Sequence, residues 1–211
     1  MTKSIYIIDL ETTGLNDFPD DFPLEIAIYK LNLDNTQEIT EVYNTLIGYP
    51  EKFKEKINAS WWSKQSGIKF KDLQDAPRIQ EVYAVMKEIL HGQQVLSWNM
   101  AYDFGKFIDR MHRSSLYKDF RCKRKIYAIG NINYKRLDCP MEEASHILRI
   151  ENYYGYKWPT LQEAADYYDV KEPEGEAHRA AYDTHLTTMI VAKMIEKSDY
   201  VVVTVVPKEA N

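Results

Sequence analysis

Asp9 and Glu11 close the apolar run Ile5-Tyr6-Ile7-Ile8 and are followed by Thr12-Thr13-Gly14. In a strand, residues i and i+2 point to the same face, so these two carboxylates would stand side by side at a strand's end. Carboxylates that close repel one another unless a cation lies between them. Hard oxygen donors suit Mg²⁺ or Mn²⁺. Gly14 would end the strand by permitting a turn. The same residues would also suit a strand that merely surfaces into an acidic turn, so the pair needs partners from elsewhere in the chain. Asp103 lies early in a helical pattern that follows a short strand, and His178 and Asp183 open a late helical pattern. Together these residues fit a two-metal hydrolase site, in which divalent ions about 3.5–4 Å apart bracket the attacking and leaving oxygens of a phosphoryl transfer. The carboxylates would hold the ions, and a neutral imidazole can take a proton from water near neutral pH.

The elements that must position these residues can be read from periodicity. A first strand spans about Ser4–Asp9, and a polar loop at Asn16–Pro23 carries Asp17, Asp20 and Asp21. Leu24–Leu33 alternates as a second strand, Asp34-Asn35 marks a hairpin turn, and Glu41–Ile47 is a third strand. Tyr49–Pro77 has no clear period. Its Trp61-Trp62 pair suits packing between elements, and stacking on nucleic-acid bases is the other use open to it. Arg78–His91 places Ile79, Val82, Tyr83, Met86, Ile89 and Leu90 at helical spacing, with Gly92 as its end. Gln94–Trp98 reads as a short buried strand and Ala101–Arg113 as a helix with Asp103 in its first turn. Leu116–Arg136 is basic and loop-like, with Tyr117, Tyr127 and Tyr134 interleaved. It is a solvated face or a track for a phosphate backbone. Leu137-Asp138-Cys139 suggests a last short strand. Pro140 opens a helix to about Asn152, and Thr160–Tyr168 is a helix with Thr160 and Glu163 as a capping box. His178–Lys197 is a long helical segment, and Asp199–Val206 is a β-branched run. Three strands followed by helices alternating with two more strands predict an α/β fold with a mixed sheet.

Composition sets outer limits. The 211 residues suit one domain, 1–211, with a strand-like extension over 198–211. A net charge of −5 argues against a bulk electrostatic nucleic-acid binder, but not against an enzyme whose acids are neutralised by metal. Cys122 and Cys139 are too few for a disulfide framework or a cysteine zinc site, which fits a reducing compartment. No signal pattern opens the chain and no apolar stretch approaches membrane-spanning length, so a cytoplasmic protein without a membrane partner is expected.

Three segments carry a family resemblance. Ile8-Asp9-Leu10-Glu11-Thr12-Thr13-Gly14, Trp98-Asn99-Met100-Ala101-Tyr102-Asp103 and His178-Arg179-Ala180-Ala181-Tyr182-Asp183 resemble the three motifs of the DnaQ-like (DEDDh) 3′–5′ exonucleases, in order and separation. Smaller echoes are Leu24-Glu25-Ile26-Ala27, Ser66-Gly67-Ile68, Asp75-Ala76-Pro77, Leu137-Asp138-Cys139-Pro140 and Pro159-Thr160-Leu161. The subclass is legible too. A sister group has Tyr four residues before the last Asp, where this chain has Arg179, and His178 stands five before it.

The resemblance implies a ribonuclease H-like mixed five-stranded sheet flanked by helices, with two Mg²⁺ or Mn²⁺ ions over the strand ends. It implies that Asp9 bridges both ions, that Glu11 and Asp183 complete the first, that Asp103 supports the second through water, and that His178 is the general base. Thr12, Thr13 and Leu15 would hold the 3′-terminal nucleotide. Asn99 and Tyr102 would line the site, or serve as a cap and a core aromatic. The implied activity is removal of nucleoside 5′-monophosphates from the 3′ end of single-stranded nucleic acid, with DNA favoured. An exoribonuclease or oligoribonuclease, or a proofreading-type subunit with a polymerase or other replication partner, is the alternative.

Overall fold

The computed structural model describes residues 3–111 and 131–202. Strands β1 (Ser4–Thr12), β2 (Pro23–Asn32) and β3 (Ile39–Leu46) form an antiparallel meander. Two short strands, β4 (Gln94–Leu96) and β5 (Lys135–Arg136), extend it in parallel on the other side of β1. The five-stranded mixed sheet therefore has the order β3-β2-β1-β4-β5, with the acid-bearing strand in the middle.

Three short segments follow the meander: a 3₁₀ turn and α1 (Lys54–Ala59), then α2 (Trp61–Ser66), then a second 3₁₀ turn. This is the stretch without a clear period. Ser60 separates α1 from α2 and caps α2, its Oγ accepting from the Ser63 N–H at 3.1 Å. α3 (Ile79–Leu90) buries the apolar stripe seen in the sequence. α4 (Pro140–Leu148), a small hairpin of β6 (Glu151–Asn152) and β7 (Gly155–Tyr156), α5 (Leu161–Tyr168) and α6 (Ala180–Glu196) complete the described elements. α6 lies against β1, β2 and β3, and α5 packs on α6. No described helix is long and apolar enough to cross a membrane.

Register places the acids. Asp9 pairs with Ala27 and Glu11 with Glu25 across the β1–β2 ladder, so these four share a face with Tyr29. Ala27 and Tyr29 pack with Ala180 at the start of α6. The face that carries Asp9 and Glu11 is thus the face that α6 covers.

Several boundaries differ from the sequence reading. The fifth strand is Lys135–Arg136 rather than Leu137–Cys139, because Lys135 and Arg136 pair with Gln94 and Val95. The helix from Pro140 ends at Leu148 and not at Asn152. Arg149 takes a left-handed conformation, and the chain turns into the β6–β7 hairpin. The segment predicted as a helix over Ala101–Arg113 is a π-helix at Ala101–Ile108. Asp199–Val202 form no strand, and 203–206 lie outside the described residues.

The Thr160 capping box is formed. Thr160 Oγ1 accepts from the Glu163 N–H at 3.2 Å, and a Glu163 oxygen accepts from the Thr160 N–H at 2.8 Å. Thr160→Ala should therefore cost about 1 kcal/mol of stability, the usual worth of such a cap. A urea midpoint identical to that of the unaltered protein would show that the cap contributes nothing.

Candidate active site

β1 ends in a register shift between Glu11 and Thr12. A bulge adds a local bend, a device common beside active sites because it re-aims a side chain. Asp9 and Glu11 project from one face of β1, and Asp183 comes down from the first turn of α6. Oxygen atoms of the three carboxylates all lie within 4.8 Å of one another. Glu11 and Asp183 are joined by a hydrogen bond.

Asp103 enters from the π-helix that follows β4. It is buried, and its carboxylate accepts from the Ser97 hydroxyl and from the backbone N–H of Leu10, the residue between the two β1 acids. That bond ties the second motif to the first. The π-helical turn is wide, with the Asp109 N–H reaching back to the Phe104 carbonyl at 3.1 Å. Such turns recur at functional sites. Tyr102 makes a second tie. Its hydroxyl shares a 2.5 Å hydrogen bond with Thr12 Oγ1 and donates to the Gly14 carbonyl at 2.9 Å. Asn99 Oδ1 accepts from the Tyr102 N–H at 3.1 Å just before this helix.

The turn after β1 is held by Asp21, from the polar loop Asn16–Pro23. Its buried carboxylate accepts from Thr13 Oγ1 at 2.8 Å and from the Asn16 N–H at 2.9 Å, and pairs with Lys56 at 2.9 Å. Gly14 is required here: a Cβ would lie 2.6 Å from an Asp21 oxygen. Leu15 then projects outward at 75% exposure, an apolar side chain free to meet a ligand.

His178 is not part of α6. It precedes the helix with φ 65°, an unusual conformation for a non-glycine residue. Its carbonyl accepts from the Trp62 indole N–H at 3.0 Å, its backbone N–H bonds Asp183, and its ring meets Trp61 edge-on at 5.0 Å. Trp62 is buried while Trp61 is 58% exposed, so the two adjacent tryptophans divide the roles of packing and surface. Asp9, His178 and Asp183 open onto a cavity of about 610 Å³, whose other walls include Trp98, Leu161 and Tyr182.

The RNase T exonuclease family model matches residues 6–191, which include all three motifs. The chain belongs to the exonuclease family. Among sequences, it is 26% identical over 191 residues to a DNA polymerase III PolC-type from Caldanaerobacter subterraneus subsp. tengcongensis. That match covers 90% of this chain and 11% of the polymerase, so the chain spans about a tenth of that relative's length. Among solved structures, Exonuclease X in complex with 5′ overhanging duplex DNA is similar at a TM-score of 0.59 and 18% identity, covering 93% of this chain and 94% of that one. A full-length 3′-exonuclease gives a TM-score of 0.65 at 16% identity, covering 94% of this chain and 62% of that one. These likenesses bear out the α/β, ribonuclease H-like sheet expected from the motifs.

The acid cluster fits divalent cations on its own chemistry. Burial pushes the Asp9 carboxyl well above the usual carboxylate range, and the Asp103, Asp183 and Glu25 charges push it further. Burial is also the main cause at Glu11, pushed up to about 11, Asp103, to about 7, and Asp183, to about 6. Such a site resists ionisation until positive charge is supplied, and its donors are hard oxygens. Among the described residues, Asp9, Glu11 and Asp183 are the one group of three found close enough to hold an ion. Asp103 is not among the three.

Part of the predicted phosphate track falls beyond the described residues. Lys118, Arg121, Lys123, Arg124 and Lys125, with Tyr117 and Tyr127, lie outside the described residues. The end of the segment is packed: the Tyr134 hydroxyl and the Arg136 guanidinium both bind Asp109, and Arg136 lies over the Phe104 ring at 5.7 Å. Glu25, to which no sequence motif gives a site role, is buried opposite Glu11 and bound by Arg179. The available signal was an acid inside the apolar strand Leu24-Glu25-Ile26-Ala27.

Proposed function

We propose that this exonuclease removes nucleoside 5′-monophosphates from the 3′ hydroxyl end of single-stranded nucleic acid, DNA in preference to RNA, using two Mg²⁺ or Mn²⁺ ions. The observation that carries the reading is the meeting of Asp9, Glu11 and Asp183 within 4.8 Å, with His178 at the same cavity. Asp9, Glu11 and Asp183 would hold one cation, and Asp9 and Asp103 the other. Bound there, the cations would polarise the phosphoryl oxygens and favour ionisation of water.

The chain's own residues do the rest. His178 takes a proton from the attacking water. The new P–O bond forms as the bond from phosphorus to the 3′ oxygen of the preceding nucleotide breaks, and that oxygen leaves as a 3′ hydroxyl after taking up a proton. Thr12, Thr13 and Leu15 hold the terminal nucleotide, and Tyr102 fixes their turn. Trp61 offers a base a stacking surface beside His178. The preference for DNA is supported by the polymerase relative and by the DNA complex among similar structures.

A labelled single strand with a free 3′ hydroxyl should be degraded stepwise with Mg²⁺ or Mn²⁺ and left intact in EDTA. The same strand with a 3′ phosphate, or closed into a circle, should resist. Cleavage of the circle at the linear rate would replace this reading with an endonuclease, and faster degradation of the matched RNA strand would make the enzyme an exoribonuclease. A second reading, a proofreading activity working with a polymerase, is favoured by the PolC-type relative. It predicts that a primer with a mismatched 3′ end is shortened faster than a matched one.

A further inference from the structure

Glu25 is almost wholly buried on β2, directly opposite Glu11. A buried carboxylate is costly unless it is paired and fully hydrogen-bonded. Here both requirements are met by residues 154 and 155 positions away. Arg179 Nε donates to Oε1 at 3.1 Å and Oε2 at 3.0 Å, and its terminal nitrogen donates to Oε1 at 2.6 Å. The Ala180 backbone N–H donates to Oε2 at 3.2 Å.

Ala180 is the first residue of α6, and Arg179, at the N-cap position, makes no side-chain cap of its own. The cap therefore comes from another strand. Negative charge at a helix N-terminus is favourable, and it satisfies an otherwise orphaned N–H. Ala180 stands two residues after His178 and three before Asp183, so one carboxylate fixes the chain between them. His178 itself sits at φ 65°, a conformation that persists only when its surroundings over-determine it. The Trp62 indole holds its carbonyl on one side. The Arg179 fork holds the next residue on the other.

We propose that Glu25 and Arg179 act as one strut of positioning residues, holding His178 and Asp183 in register with Asp9 and Glu11. β2 would thereby dictate where the third motif meets the first. The inference rests on the reading in which His178 accepts the proton and Asp183 holds a cation.

The test is a double-mutant cycle on Glu25→Gln, Arg179→Met and the double variant. It is read as kcat and KM on a 3′-hydroxyl single strand at saturating Mn²⁺, well below each melting temperature. Each single change should lower kcat by about 10–100-fold, as loss of a residue supporting a ligand does, with KM within about threefold. The double variant should be no worse than either single one, because both remove the same strut. Arg179→Lys should recover only part of the rate, since it keeps the charge and loses the fork.

Lowered melting temperatures with kcat unchanged would reduce the pair to a stabilising contact and overturn the proposal. Losses that multiply in the double variant would overturn the single strut. If Glu25→Gln does not fold, the comparison of Arg179→Met with Arg179→Lys decides, and equal, undiminished kcat overturns the proposal. Inactivity of the unaltered protein on all strands would instead overturn the proposed nuclease reading.

Discussion

Asp9→Ala should abolish turnover while leaving the protein folded, and it should make the metal-free protein less sensitive to pH. Asp9 stands among Glu11, Asp103 and Asp183, each of which adds to or feels the same crowding of charge. Removing it takes away the carboxylate that the proposed reaction shares between both cations. Loss of the several kcal/mol of charge stabilisation that a bound cation supplies corresponds to at least about 10³-fold in rate. The stability effect has the opposite sign. Asp103 and Asp183 are raised from 3.8 to about 7 and about 6 in the folded chain, chiefly by burial. A carboxyl raised on folding contributes stability that is full below its unfolded value and is lost as pH rises through its folded value. The metal-free protein should therefore melt at progressively lower temperature between about pH 4 and pH 7, and added Mg²⁺ should reverse the decline by binding the folded state alone. Asp9→Ala should flatten that decline and shrink the Mg²⁺-induced rise. Melting curves across pH, with EDTA or Mg²⁺, measure both. A full-rate Asp9→Ala enzyme, or activity that persists in EDTA, would remove the cations from the mechanism.

How much of this was legible in the sequence depended on the range of each interaction. The i, i+2 spacing of Asp9 and Glu11 is a property of one strand, and the strand formed. The Thr160 and Glu163 pair is a property of one helix turn, and both of its hydrogen bonds are present. The end at Arg149 was hidden because it depends on one residue adopting a left-handed conformation that its type does not favour. The π-helix around Asp103 has the same apolar stripe as an α-helix, so periodicity alone does not reveal the wider turn. β5 is only two residues long, and pairing with β4 decides its register rather than any pattern of its own. Glu25 was the hardest to read. Its partner lies 154 residues away, and only the β1–β2 register together with the seating of α6 brings them together. Trp61 and Trp62 show the same limit, since adjacent residues of one type have opposite exposures set by where α2 docks.

His178→Ala should lower kcat by about 10²–10⁴-fold, the usual worth of a general base, with KM and metal affinity nearly unchanged. The side chain is exposed at the mouth of the cavity that Asp9 and Asp183 line, so removing it takes away a proton acceptor without opening a hole in the core. Its backbone contacts, the carbonyl to Trp62 and the N–H to Asp183, survive the substitution, which is why the fold should tolerate it. The edge-on contact with Trp61 would be lost, but Trp61 is itself largely exposed and contributes little to packing there. Free imidazole in the buffer should restore part of the rate of His178→Ala. If His178 served only to shape the start of α6, the substitution would lower the melting temperature, leave kcat intact and show no response to imidazole. Full kcat in the variant would take His178 out of the chemistry and assign proton transfer to another group lining the cavity, with Asp183, raised to about 6, among its acids.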